Sequence, residues 1–479
     1  MTHEEFVRLM EQVQRLKTES QTLEVKKSSD GYPKIRDTLS SFSNQDDGGV
    51  ILFGLDEEQG FAPVGVYDAG DLQRRIMEDC KQMTPPVRAL LTVHEDDGKV
   101  FVAAEIPAVD ITDRPCFYTG VGRVKGSFVR VGDADQHMTE YEVYSYEAYR
   151  KQLQDDIRPV PQASSQTFDK EKIEAYLLRC RKSKPNLAVL DNDLVRELMS
   201  VTKEGVPTLA AVLLFNLYPQ AYFPQLAITA TVSAGLAIAD NAPDQPRFLD
   251  NQRIEGTIPQ MLESALDFAV RNMKVQTIID PESGARKDKT EYPLPAVREA
   301  ILNALVHRDY SHYTESSPIT MNFFRDRLEI CNPGGLYGRI RIDQLGHGRA
   351  DTRNPVLATA LETLGITENR YSGIPTIRTA MQQHGLPLPE FQSGTSFKVT
   401  LYNGENVSFA PDEKDQSLLA FCRTPRTRRE IADFLGVKSV GYAVRTYVAP
   451  LVSRGLLKLS LPQTPQSPRQ QYTSVPPGE

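Results

Sequence analysis

The sequence predicts a multidomain α+β chain, and three observations carry that reading. Its 479 residues suggest about three domains. Strand-like apolar alternation is interleaved with helix-period stretches along most of its length. Two polar, proline-bearing segments, DIRPVPQASSQ and GENVSFAPDEKD, break the pattern as linkers do. The expected units are 1–157, 168–290, 291–403 and 412–479. Hydrophobic content of 40% and charged content of 25% are ordinary for a folded chain, and each unit is long enough to bury a core.

In the first unit, MTHEEFVRLMEQVQRLK reads as an amphipathic helix over 3–17 rather than a signal segment. LEVKK (23–27) alternates like a strand, and a helix is expected over 33–43 with Pro33 near its first turn. GGVILFGLD (48–56) is a near-continuous apolar run and predicts a buried strand. RALLTVHEDDGKVFVAAEIP (88–107) places two alternating runs around DDGK, a hairpin. SFVRVGD (127–133) is a further strand, and MTEYEVYSYEAYRKQL a helix. Beyond the first linker, GVPTLAAVLLFNLYPQ (205–220) predicts a strand, and 168–290 is taken as a connector completing the unit after it. SFKVTLYN closes that unit as a strand. In the last unit a helix is expected at 415–422. TRREIADFLG (427–436) and VGYAVRTYVAPLVSRGLLKL (440–459) follow as a helix–turn–helix with Gly436 at the turn. RGLLKLSLP and RQQYTSV supply a two-stranded wing.

Composition bounds the function. The net charge is −8, so nucleic-acid contact must come from local patches. One such patch is 412–479, where ten Lys and Arg face six Asp and Glu. Five scattered cysteines without a CxxC argue for a reducing compartment with neither a disulfide framework nor a cysteine zinc site. No apolar run approaches the roughly 20 residues needed to span a bilayer. A cytoplasmic protein without membrane partners is expected.

Three sites stand out. The first is TESQTLEVKK, where Glu19 precedes the strand and Glu24 lies in it, with Lys26 on the same strand face. Asp56 ends the next buried strand. Three carboxylates at adjacent strand ends would form a hard-oxygen site for Mg²⁺ or Mn²⁺. Lys26 would stabilise a pentavalent phosphate, parts suited to metal-dependent phosphodiester cleavage. The order E-x4-E-x-K, then SFSN, GGVILFGLDEE and SFVRVGD resembles the Schlafen AlbA domain over about 15–150. In Schlafen ribonucleases that cut transfer and ribosomal RNA, two glutamates and an aspartate carry the metal. By motif position these fall on Glu19, Glu24 and Asp56. Asp46 and Asp47 depart from the glycine-rich pattern usual there and add negative charge beside the strand. Nucleic-acid binding without cleavage and a surface ion pair between Glu24 and Lys26 are the competing readings.

The second site joins PAVREAILNALVHRDY (295–310) to DRLEICNPGGL (326–336). Glu299 and Asn303, four apart, share one helix face. An acid and an amide so stacked hold a Mg²⁺ and its water. The glycine turn lets a ring or phosphate approach the backbone. With RNPVLA (353–358) and ENRYSGI (368–374), the stretch resembles the nucleotide pocket of the gyrase, histidine-kinase and MutL (GHKL) ATPases, in the divergent branch that follows Schlafen-type AlbA domains. The resemblance implies ATP with Glu299 orienting water and Asn303 on the metal. Asn332 would take the place of the adenine-reading aspartate, with Gly334 and Gly335 giving close backbone approach. Arg353, Ser372 and Gly373 would lie at the phosphates, where His307 and Arg308 also match the branch. Tyr371 replaces a glycine of the usual loop, which puts hydrolysis in more doubt than binding. Such ATPases assemble around the nucleotide, so a homo-oligomer is expected. The bland alternative is an amphipathic core helix.

The third site is the winged helix-turn-helix. Its second helix would enter the major groove with Lys438 and Arg445, and Arg428 and Arg429 would meet phosphates. A purely structural charged face is the competing reading. Two functions follow: an ATP-regulated, metal-dependent endoribonuclease in stress response or phage defence, or an ATP-binding transcriptional regulator without nuclease activity.

Overall fold

The structure, a computed structural model, describes residues 1–238, 247–279, 286–347, 351–367, 372–404, 413–437, 440–453, 456–461, 467 and 470–475. Tyr371, Lys438 and residues 405–412 of the second expected linker lie outside the described residues, as does the side chain of Arg445. The folded class is α+β, in several sheets and separate hydrophobic cores.

The N-terminal domain is built on a four-stranded sheet. Its spatial order is Leu23–Lys26, Gly49–Phe53, Lys99–Ile106, Leu90–Asp96. The first pair is parallel and the others antiparallel. Alternation sorts the side chains. Leu23, Val25, Leu52, Phe101 and Ala103 meet Phe6, Met10 and Val13 of the His3–Leu16 helix on one face. Ile51, Phe53, Val102 and Ala104 meet Leu39, Phe42, Leu72 and Ile76 on the other. Those last four come from the Arg36–Asn44 and Ala69–Lys81 helices. Asp97 and Gly98, both at positive φ, close the expected hairpin. The Arg36–Asn44 helix starts later than expected, because Ile35 is buried as its N-cap and leaves Pro33 outside. The SFVRVGD strand forms a hairpin, Phe128–Val131 with Ala134–His137, that packs on this helix.

The expected linker at 156–166 is part of the next body. Asp156 is 1% exposed and accepts the N–H groups of Val356 and Leu357 at 2.9 and 3.0 Å, at the start of the Pro355–Thr363 helix. Val160 belongs to the central core. That core runs from Val160 to Leu401, so the stretches on either side of 290 share one apolar interior. The reason is topological. Ile228–Val232 is an internal strand of a six-stranded sheet, flanked by Asp250–Ile254 and, in parallel, by Ile319–Phe323. The sheet continues through Arg327–Pro333, Ser396–Tyr402 and Glu390–Ser393. The strand expected within 205–220 is a helix, Leu209–Phe215. The Thr208 hydroxyl accepts the N–H of Ala211, and every side chain of that helix is buried, so the unbroken apolar run carried no period to read.

The C-terminal unit orders Glu413–Phe421, Arg428–Phe434 and the helical stretch from Val440 to Ser453 around Leu418, Ile431, Val448, Leu451, Leu457 and Tyr472. Its short sheet runs Arg426–Thr427, Gln471–Ser474, Leu457–Leu459. Among the described residues, no helix is long and apolar enough to cross a membrane.

Candidate functional site

The first site forms where the edge strand Leu23–Lys26 meets the Phe128–Val131 hairpin. Leu23 and Val25 point into the apolar layer under the first helix, so Glu24 and Lys26 take the opposite face. There Glu24 pairs with Lys26 through one oxygen, and its other oxygen lies 2.7 Å from Nη2 of Arg130. The same Nη2 is 3.3 Å from Oε2 of Glu19, and Nη1 is 3.1 Å from Asp135. The Arg130 side chain is only 1% exposed, and its guanidinium lies over the Phe42 ring. Asp135 in turn accepts the hydroxyls of Thr38 and Ser41. Glu19 is further fixed by the Val25 N–H at 2.7 Å.

Asp56 is placed differently. It accepts the Glu58 N–H and the Gln59 amide and pairs with Lys27 at 3.2 Å. Among the described residues, no group of three His, Cys, Asp or Glu side chains is gathered to hold a metal ion. The expected trio is therefore split. Glu19 and Glu24 converge with Lys26 around a buried arginine, and Asp56 answers a different lysine. As arranged, these side chains do not fit a divalent ion. The sequence reading missed Arg130, although a signal was present. It shares strand parity with buried Phe128, and a buried cation requires carboxylates.

Burial, and then the adjacent Glu24, push the Glu19 carboxyl up to about 8. Burial pushes Asp156 up to about 6. A carboxyl raised in the folded state binds more protons there than in the unfolded chain. Its contribution to stability is thus present below the ordinary value of 4.5 and is lost as pH rises through about 8. Stability is expected to fall between pH 4.5 and about 8, and Glu19→Gln to flatten the upper part of that slope, above the Asp156 range. Denaturant midpoints across pH read this; an unchanged slope in the variant would remove Glu19 as its source.

The second site is assembled by the Leu294–His307 and Gly373–Gln383 helices. Glu299 and Asn303 stack one turn apart, and both side chains close on Gly373. A Cβ on that glycine would collide with the Glu299 carboxylate and approach the Asn303 amide nitrogen to 2.9 Å. That nitrogen is buried without a hydrogen-bond partner. Ser372 caps the second helix from an exposed position. An orphaned amide beside a glycine whose Cβ would displace the Glu299 and Asn303 side-chain ends fits a bound nucleotide and its cation, so Glu299, Asn303, Ser372 and Gly373 would hold that group.

The glycine turn serves another purpose than expected. Gly334 has φ +91, and a Cβ there would meet Asp309 at 2.7 Å. A Cβ on Gly335 would strike the Gly394 carbonyl. The close approach is to the protein's own backbone, and bare glycines are required by packing. Asn332 is 3% exposed, faces the core side of its strand with Leu328 and Ile330, and donates to the Pro333 carbonyl at 3.2 Å. Arg353 is also committed. It donates to Asp309 at 2.6 Å and to the Gly335 carbonyl at 3.3 Å, and lies over the Tyr337 ring. Arg308 is 1% exposed and donates to the carbonyls of Asp309, Thr314 and Ser317. The structure thus gives both arginines bracing roles. Their shared centre is Asp309, fully buried, which also accepts the Ser311 N–H and the Tyr141 hydroxyl. Sequence reading passed over Asp309, because nothing in HRDY distinguishes a brace from a ligand.

In the C-terminal unit, Arg428 lies 3.3 Å from the Tyr472 hydroxyl, and Arg429 is exposed at the start of its helix.

Two stretches of the chain match known protein families. Residues 19–139 match the family described as Schlafen, AlbA_2. Residues 316–401 match the family described as Putative ATP-dependent DNA helicase recG C-terminal, a HATPase_c_4 domain. The second match begins after the helix that carries Glu299 and Asn303. The crystal structure of the DIP2311 protein from Corynebacterium diphtheriae is similar at 21% identity, over 90% of this chain and 87% of that one, with a TM-score of 0.40. The solution structure of the N-terminal domain of a RecG-related protein from Nitrosomonas europaea is similar at 26% identity, over 28% of this chain and 92% of that one, with a TM-score of 0.23. No curated protein matches the chain.

Proposed function

We propose that this chain, in which a Schlafen AlbA_2 domain precedes an ATPase-like HATPase_c_4 domain, is an ATP-binding regulator that acts on nucleic acid. The observation that carries the ATP half is the convergence of Glu299, Asn303 and Gly373 around an unpartnered amide. Glu299 would orient water beside a phosphate. Asn303 would hold the nucleotide's Mg²⁺ or phosphate oxygens, and bare Gly373 keeps that space open. Mg²⁺, when bound with ATP, neutralises phosphate charge. The nucleic-acid half rests on the AlbA_2 match and on the C-terminal unit. There the order helix, short strand, helix, helix, hairpin supports a winged-helix reading, with Arg429 exposed while Arg426 donates to the Phe421 carbonyl.

The metal-dependent endoribonuclease is the second reading, with a role in stress or phage defence as its corollary. The convergence of Glu19, Glu24 and Lys26 favours it. The buried Arg130 between the glutamates and the Lys27 partner of Asp56 favour binding without cleavage.

Labelled-ATP binding with Mg²⁺ tests the first half. Overpacking at Gly373 costs about 1–3 kcal/mol, so Gly373→Ala is expected to weaken ATP about ten- to a hundredfold, and Asn303→Ala comparably. Equal affinity in wild type and both variants would place the nucleotide elsewhere. Incubation of the same proteins with transfer RNA, single strands and duplex DNA, with Mn²⁺ present, separates the two readings. Cleavage that Glu24→Ala abolishes would establish the nuclease, and binding without cleavage the regulator.

A further inference from the structure

Asp46 and Asp47, the charged departure in SFSNQDDGG, belong to neither site described above. They lie on the wall of a cleft of about 900 Å³ between the N-terminal domain and the central body. Its two edges are built unequally. Along one edge the Glu140–Arg150 helix is mounted on the central body by tyrosines. Tyr141 donates to buried Asp309 at 2.8 Å, Tyr149 to Asp351 at 2.8 Å, and Tyr144 packs on Tyr313. Along the other, ion pairs of two arginines bridge the domains. Arg339 reaches Asp110 at 3.4 Å and Arg341 reaches Asp47 at 3.1 Å, with the pairs 65%/51% and 36%/68% exposed. Arg341 also lies 3.9 Å from Asp46 and 3.4 Å from Asp343 of its own body.

We propose that this cleft binds single-stranded nucleic acid, with Arg339 and Arg341 as its phosphate contacts and Asp47 and Asp110 covering them in the free protein. The proposal rests on the nucleic-acid reading given above and names a site for it.

Exposed ion pairs add little to an interface that buried tyrosines already hold, so they are weak as glue and easily exchanged. A phosphodiester offers each guanidinium the same planar, two-oxygen partner as a carboxylate, and its binding releases counterions. Tyr146 and Tyr337 line the same cleft, and aromatic rings are what unpaired bases stack on; Tyr337 already carries Arg353 over one ring face, which leaves Tyr146 as the main platform. The volume lies at the upper end of small-ligand pockets, enough for a few nucleotides of one strand. Arg114 stays structural: buried, it holds Asp46 at 2.8 Å and the Val109 and Gln45 carbonyls.

The test is fluorescence anisotropy of a short labelled single strand and the matching duplex, titrated against salt. Arg339→Gln with Arg341→Gln is expected to weaken strand binding about tenfold and to lower the salt slope by about two. Asp47→Asn with Asp110→Asn is expected to tighten it about tenfold. Strand binding by wild type that neither pair of substitutions changes would overturn the cleft site and leave the regulator reading intact. Preference for the duplex at the same arginines would overturn the single-strand assignment. No binding of strand or duplex by any of these proteins would remove both.

Discussion

Arg130→Ala is expected to cost the N-terminal domain about 3–5 kcal/mol, the range for removing one partner of a buried charge pair. The side chain is 1% exposed and faces three carboxylates, on Glu19, Glu24 and Asp135. Without it, Glu24 keeps Lys26, while Asp135 loses its cation and Glu19, whose carboxyl is pushed up to about 8, loses the guanidinium beside it. The chain has separate hydrophobic cores, so one melting curve does not report one domain. Hydrogen exchange in the Phe128–Val131 and Leu23–Lys26 strands does, and should accelerate by about two to four orders of magnitude. The loss should shrink in acid, where the stranded carboxylates take up protons. A second variant separates charge from packing: Arg130→Met with Glu24→Met, Glu19→Met and Asp135→Asn leaves no stranded carboxylate and should recover most of the protection. Protection unchanged in Arg130→Ala would mean that solvent already screens the cluster.

Asp309→Ala is expected to be comparably damaging to the central body, again about 3–5 kcal/mol, by a different route. Asp309 is fully buried and accepts from Ser311, Tyr141 and Arg353, so its loss strands one buried cation, one hydroxyl and one backbone N–H at once. Asp309→Asn keeps acceptors for two of these groups without the charge and should fall between wild type and alanine. Because Tyr141 belongs to the N-terminal domain, proteolysis within 139–160 should accelerate together with the loss of thermal stability. Loss of stability without faster cleavage there would confine Asp309 to the central body and sever it from the joint.

The elements that repeat a period were legible. Alternation in LEVKK and around DDGK, and helical spacing with a capping Thr in TEYEVYSYEAYR, fixed their type because one face of each must be buried. LAAVLLF was not legible, because a helix buried on all sides erases the contrast from which a period is read. The linker at 156–166 was misjudged for a related reason. Proline and polar residues mark irregular backbone, and irregular backbone also caps helices, as Asp156 does for the helix at Pro355.

At the sites, the sequence by itself determined which residues stand together locally. Glu299 and Asn303 share a helix face because four residues make one turn, and Glu24 and Lys26 share a strand face because two residues make one pleat. What each group pairs with lay beyond it. Arg130 comes from a hairpin more than a hundred residues after Glu19, Asp309 receives Tyr141 across a domain joint, and Gly373 arrives opposite Glu299 from a separate helix. A charge has no period, and its partner is whichever opposite charge the packed chain brings within a few ångströms. Tertiary structure alone therefore decided that the paired glutamates enclose an arginine, and that the glycine turn meets protein.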